Sequence, residues 1–292
     1  MRTTEWHEER KKYLGASEVA TILGANPYSS PWEVWAVKKG LIEPFGGNEV
    51  TKLGQRIEPV LLDYAEDDLG ELDRDVPVPH PSVPLRATLD GQVKASGDVV
   101  EAKTAGLLSG RADDWGEDGL VLYPDQIPKT YYLQVQTQLA CTGEKRAHLY
   151  AMLPRRGVTV YEVKADPKLQ GAIVRHVDDW WNRYMIGTEE PDIRSASLDA
   201  LKRLDRDPNK EIYFDEDAES LVMEYQNAKR HAAIHKRRMD SLQREIIASL
   251  GDAERAVTPR GYELRYDLQD RKQYTVKAAS YRVLRIKESN DE

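Results

Sequence analysis

The stretch from Leu85 to Lys103, LRATLDGQVKASGDVVEAK, decides how the rest of the chain is read. Leu85 to Leu89 alternates like a strand and stops at the turn pair Asp90-Gly91. Asp98 to Lys103 reads as a second strand. Side chains alternate along a strand, so Glu101 and Lys103 share one face while Val100 and Ala102 take the other. A hairpin of the two strands brings Asp90 to the edge that holds Glu101. Two carboxylates and one ammonium then converge. Asp98 lies three residues from Glu101 and points to the opposite face. Hard oxygen donors of this kind suit Mg²⁺ or Mn²⁺. The ammonium of Lys103 can orient an attacking water or help to deprotonate it, so the trio suits in-line hydrolysis of a phosphodiester. A plain ion pair on a strand face would use the same residues, so the surroundings must decide.

Upstream, Ser17 has the place of an N-cap for a short helix from Glu18 to Leu23, closed by Gly24. Pro31 opens a second helix that runs through Lys39. A third spans Asn48 to Leu69, with Leu53, Ile57 and Tyr64 at helical spacing. Val76 to Val78 is a short strand signal. Downstream, residues 106–127 read as a long loop containing Trp115. A helix from Pro128 to Thr142 follows, then strands at Ala147 to Leu153 and Val158 to Val163, then a helix from Pro167 to about Met185. This order predicts an α/β (α+β) fold with a central mixed sheet flanked by helices. Trp32, Trp35, Trp180 and Trp181 are expected to pack, and Cys141 to be a buried thiol.

The 292 residues hold 42 Lys+Arg and 50 Asp+Glu, a net charge of −8. One cysteine excludes a disulfide framework, a cysteine-ligated zinc site and an iron–sulfur cluster within one chain. No apolar stretch approaches the ~18 residues of a membrane span, and the charged N-terminus lacks the pattern of a signal peptide. A cytoplasmic, membrane-free setting is expected. Taken alone, −8 argues against nucleic acid. The charge is uneven, however. Residues 221–287 hold 15 Lys+Arg and 8 Asp+Glu. Leu221, Tyr225, Ala228, Ala232, His235, Met239, Leu242 and Ile246 form a heptad seam on one long helix. Two or three strands are expected over 254–287. The expected domains are 1–195, a linker over 196–214, and a helix-plus-strand extension over 215–292.

Six stretches in series across residues 10–185 carry a family likeness. They are Gly15-Ala16-Ser17-Glu18, the run from Leu23 to Gly40, Gly54-Gln55-Arg56-Ile57-Glu58, Asp90, Glu101-Ala102-Lys103, and the helix with Gln134-Val135-Gln136. In this order the chain resembles the PD-(D/E)xK nuclease superfamily, and within it the YqaJ-type viral recombinases, to which phage lambda exonuclease is similar. The resemblance implies a restriction-endonuclease-like core. It implies that Asp90 and Glu101 bind the metal with the Ala102 carbonyl, that Lys103 is catalytic, and that Glu58 reaches the metal directly or through water. Gln136 matches the glutamine beside the lysine, with Gln134 as an alternative. Gln134 and Gln138 each lie about 200° around the helix from Gln136, so all three cannot face one site. Ser17 and Arg10 resemble a pair that holds a DNA 5′-phosphate.

The resemblance further implies a Mg²⁺-dependent exonuclease on double-stranded DNA ends, working 5′→3′ as a homotrimer. It would serve phage or prophage recombination in a bacterial host, with a phage single-strand annealing protein as partner. A structure-specific endonuclease and a non-catalytic DNA-end-binding or assembly module are the alternatives.

Overall fold

The computed structural model describes residues 8–107 and 114–268. The chain divides into two compact units, Met1–Asp205 and Arg206–Glu292.

The first unit is built on a seven-stranded mixed sheet. Its strands are β1 (Leu14–Gly15), β2 (Leu72–Pro79), β3 (Leu85–Val93), β4 (Val99–Thr104), β5 (Gly119–Leu120), β6 (Arg146–Leu153) and β7 (Gly157–Lys164). They run in the order β1-β3-β4-β6-β7-β5, with β2 also paired to β3. β3 is antiparallel to β2 and β4, and β4 is parallel to β6. A strand has two edges, so β1 and β4 divide one edge of β3: β1 takes Leu85 and Arg86, and β4 takes Gly91 and Gln92. Between them the ladder is open.

The helices are α1 (Ala16–Ile22), α2 (Pro31–Lys38), α3 (Glu49–Leu69), α4 (Lys129–Thr142), α5 (Pro167–Trp180) and α6 (Leu198–Arg203). Helix α3 covers one sheet face, where Leu61, Leu62 and Ala65 pack on Leu72, Val93, Val100, Ala102 and Tyr150. Helices α1, α2, α4 and α5 cover the other, where Val19, Trp32, Leu133, Leu139, Ile173 and Val177 pack on Leu85, Leu89, Val99, Leu149 and Tyr161. Local signals set the helix ends. Asn48 accepts a bond from the Thr51 N–H at 3.0 Å to cap α3. Asp166 caps α5 ahead of Pro167. Gly143, at φ 76°, closes α4 in the left-handed conformation that other residues avoid.

The second unit holds α7 (Glu216–Leu250) and a hairpin of β8 (Arg255–Val257) and β9 (Glu263–Arg265). Leu242, Ile246 and Leu250 line one wall of a groove, and Ala256 and Leu264 of the hairpin line the other. The C-terminal end of the heptad seam therefore faces the chain's own strands across this groove. The strands expected beyond residue 268 lie outside the described residues.

The structure departs from the sequence reading in four places. Asp90-Gly91 is not a turn: β3 continues to Val93 and the chain turns over residues 94–97. Ser17 is not the cap of α1. Gly15 is, and the Glu18 carboxylate accepts its N–H at 2.7 Å. The Glu18 carboxylate, in the first turn of the helix, thus does the capping. Residues 181–186 leave the α-helix for a π-helical turn. Finally, the stretch 196–214 contains α6, whose Ala200 is fully buried and whose N-cap Ser197 donates its N–H to Glu33 at 2.8 Å.

Candidate active site

Alternation on β4 turns Val99, Glu101 and Lys103 toward α4, and Val100 and Ala102 toward α3. β3 does not keep one face throughout. Leu85, Ala87 and Leu89 pack on the α4 side, whereas Val93 packs on the α3 side. A Cβ at Gly91 would meet Leu72 at 3.0 Å and Val100 at 3.3 Å, also on the α3 side. The change of face falls at Asp90, opposite Asp75 of β2, which has φ 55°. The kink carries the Asp90 carboxylate into the open part of the ladder. There it accepts the Ala102 N–H at 2.9 Å, replacing the backbone bond that the splayed strands cannot make.

Glu101 is almost wholly buried, at 1% exposure. Its carboxylate accepts hydrogen bonds from the Lys103 ammonium, from Gln134 Nε2 at 2.6 Å and from Gln138 Nε2. Burial first, and the neighbouring Glu101 charge second, push the Asp90 carboxyl up to about 8. Burial alone would lower Lys103, but the Glu101 and Asp90 charges outweigh it and hold the amine above its ordinary value. Lys103 is therefore an ammonium at neutral pH. Its Nζ also lies 5.4 Å from the ring centre of Tyr131, within cation–π range.

Helix α3 crosses β4 closely at Gly54, where a Cβ would lie 3.1 Å from Thr104 Oγ1. One turn later Glu58 is near enough for its charge to raise Asp90. Among the described residues, no group of three or more His, Cys, Asp or Glu side chains is placed to hold a metal ion. Glu58 bears on the pair through its charge. The donor set still fits a hard divalent cation. Two carboxylates, one almost wholly buried and the other pushed toward its neutral form by burial and by its neighbour's charge, form a site that such a cation would relieve.

The glutamine assignment changes. Gln136 faces away from the site. Its Nε2 donates to the Lys164 carbonyl at 2.7 Å, and its Oε1 accepts from the Asp166 N–H at 2.9 Å and from Gln170 at 3.1 Å. Gln134 and Gln138 are one helical turn apart, so both meet Glu101. The spacing of four was the available signal. Gln138 Oε1 is buried without a hydrogen-bond partner. Because Gln136 ties the end of β7 to the start of α5, Gln136→Ala is expected to lower stability by about 1–3 kcal/mol through unsatisfied buried backbone groups. Denaturant unfolding followed by circular dichroism measures this. Gln138→Ala should instead act on the site.

The remaining candidates lie elsewhere. Ser17 is exposed in the first turn of α1, and Arg10 lies beside Gly15 with its guanidinium 3.5 Å from Glu18. An anion at that end would face the Glu18 carboxylate. Asp98 is remote from the trio, paired with Arg146 at 3.1 Å and with His148 at 3.2 Å. Trp115 packs against Tyr131 and Tyr161. Cys141 is buried, and burial pushes its thiol up to about 12.

An acid on a kinked strand, an acid-x-lysine on its antiparallel neighbour, and a crossover helix returning glutamines to that acid define a PD-(D/E)xK-like core. Residues 5–145 match the model of the YqaJ-like viral recombinase domain. A Bacillus subtilis (strain 168) protein, called uncharacterized protein YqaJ, is 25% identical over 264 residues, which are 87% of this chain and 80% of that protein. Among solved structures, the alkaline exonuclease LHK-Exo of Laribacter hongkongensis is 19% identical over 63% of this chain and 93% of its own, with a TM-score of 0.48. A phage related exonuclease from Haemophilus somnus 129PT is 12% identical over 60% and 95% of the two chains, with a TM-score of 0.46.

Proposed function

We infer that the first unit is a Mg²⁺-dependent deoxyribonuclease that degrades duplex DNA from its ends, 5′→3′, in phage or prophage recombination. The observation that carries this reading is the pairing of half-buried Asp90 with buried Glu101, with Lys103 held against it. The YqaJ-like viral recombinase domain supports it. A homotrimer and a single-strand annealing partner belong to the same reading, as does a bacterial cytoplasm as its setting. Mg²⁺ or Mn²⁺ would be held by Asp90, Glu101 and the Ala102 carbonyl, and when bound it supplies Lewis acidity at the scissile phosphate.

The chain's own groups divide the remaining work. Gln134 and Gln138 fix the Glu101 carboxylate, so it meets its ligand without reorganising. The Ala102 N–H orients Asp90. Lys103 keeps its proton, so it acts as a hydrogen-bond donor to charge developing on phosphate oxygens. The kink at Asp90 opens the sheet edge where the phosphodiester must approach. Arg10 and Ser17 are the candidates for a terminal phosphate.

End-labelled linear duplex and a closed circle, each incubated with and without Mg²⁺, test the reading. Stepwise loss of the linear DNA from its 5′ ends, only with Mg²⁺ and with the circle intact, is expected. Cutting of the circle would make the protein an endonuclease, and no cutting would make it a binding module.

A further inference from the structure

Helix α7 spans 35 residues and buries none of them. Its C-terminal seam faces the β8–β9 hairpin across a groove, but another face carries a different pattern. Arg230, Arg237 and Arg244 recur every seven residues, with Lys229 and Lys236 beside the first two. At 100° per residue these five cations fall within about a third of the helix circumference, and Lys229 to Arg244 spans about 22 Å. All five are exposed. One acid, Asp240, lies in this stripe, and it is paired with Lys236 at 3.6 Å. Among the described residues, Lys229, Arg230, Arg237 and Arg244 have no carboxylate within ion-pair distance.

The hairpin repeats the imbalance. Arg255 and Arg265 are directly opposed in its register and both are exposed. Like charges directly opposed across strands destabilise a pair. The second unit therefore keeps two uncompensated cationic features in a protein whose net charge is −8. A dense anion satisfies both. Duplex DNA offers one negative charge per ~1.7 Å of axis, and guanidinium groups bind phosphate in a bidentate manner.

We propose that the Lys229–Arg244 face of α7 is a second, sequence-independent DNA surface that contacts the phosphate backbone. It holds duplex without taking part in hydrolysis. This takes its ligand from the proposed function and adds a surface outside the PD-(D/E)xK-like core.

The test uses the full chain carrying Lys103→Ala, so that DNA is bound but not cut. Binding to a fluorescent 40-base-pair duplex is followed by anisotropy from 50 to 200 mM salt. The fivefold variant Lys229→Gln, Arg230→Gln, Lys236→Gln, Arg237→Gln and Arg244→Gln keeps helix propensity and removes the charge. Its helicity is checked by circular dichroism. Binding at 50 mM salt should weaken at least tenfold, and the slope of log K against log salt should fall by about two or more, one charge contact contributing ~0.9. A variant with the three arginines changed to lysine controls for folding and should keep the slope. Unchanged affinity and slope in the fivefold variant would overturn the proposal. So would a change in oligomeric state with DNA binding intact, which would assign the stripe to an acidic protein surface. The two readings fail separately. Charge-dependent binding, with no cutting by the chain that keeps Lys103, would sink the proposed function alone, and cutting by that chain with unaltered binding by the fivefold variant would sink this inference alone.

Discussion

Lys103→Ala should abolish DNA cleavage, with a loss of at least about 10²–10³-fold in rate, while the domain stays folded. The magnitude is that of removing one preorganised charged donor from a site where negative charge develops. Glu101 and Asp90 are the groups its charge acts on, and the Gln134 and Gln138 amides are neutral. Folding survives because Glu101 keeps two amide donors after the ammonium is lost, and the Asp90 carboxyl is already poised near pH 8 to take a proton. The stability cost is therefore expected at about 1–3 kcal/mol, less than the 5–15 kcal/mol of a typical domain. Single-turnover cleavage of end-labelled duplex, with thermal unfolding in parallel, checks both halves. Lys103→Arg distinguishes charge from shape: it restores the charge but not the compact ammonium that fits against Glu101, so partial activity is expected. Full activity in Lys103→Ala would remove the trio from any catalytic role.

The trio was legible because it depends on period-2 alternation and short sequence distance. Glu101 and Lys103 share a face on any regular strand, and Asp98 fell on the other side as expected. The helices with strong end signals, such as α3 after Asn48 and α4 before Gly143, were legible for the same reason. What was not legible depends on tertiary placement. Asp90-Gly91 carries a turn signature, yet α3 and β2 leave a space at Gly91 that only a glycine in a strand fills. The turn propensity was overridden by packing, and the glycine serves close approach instead. The glutamine choice failed for a similar reason. A motif of two glutamines two apart cannot say which faces the sheet, whereas the spacing of Gln134 and Gln138 can, once the helix is known to cross β4. Ser17 lost the cap to Gly15 because Glu18, three residues on, had a buried cation waiting for it.

That cation, Lys38, carries the second large effect. Its side chain is 2% exposed, and the three protons of its ammonium have three partners: the Arg10 carbonyl at 2.9 Å, the Tyr13 carbonyl at 2.6 Å and Glu18 at 2.9 Å. Lys38 thus clamps the segment that leads into β1 and α1. Lys38→Met should cost about 3 kcal/mol, the lower end of the range for removing one partner of a buried ion pair, because the mostly buried Glu18 is left with the more distant Arg10 opposite. The pH dependence follows with its sign. Burial would raise Glu18, but Lys38 and Arg10 together hold it below its ordinary value. A carboxyl depressed in the folded state contributes stability at and above its ordinary pKa, and that stability is lost as pH falls through the depressed value. In Lys38→Met the chief depressing charge is gone and burial raises Glu18, so protonating it relieves the defect. The variant should therefore come closer to the wild type as pH falls below the ordinary carboxylate range, and the difference should be full at neutral pH. Urea unfolding at several pH values measures this directly. The double variant Glu18→Gln/Lys38→Met isolates the pair: it should be more stable at neutral pH than Lys38→Met alone, since no buried charge is then left without its main partner. A double variant no better than the single one would mean that Lys38 acts through the two backbone carbonyls, with Glu18 serving only as the cap of α1.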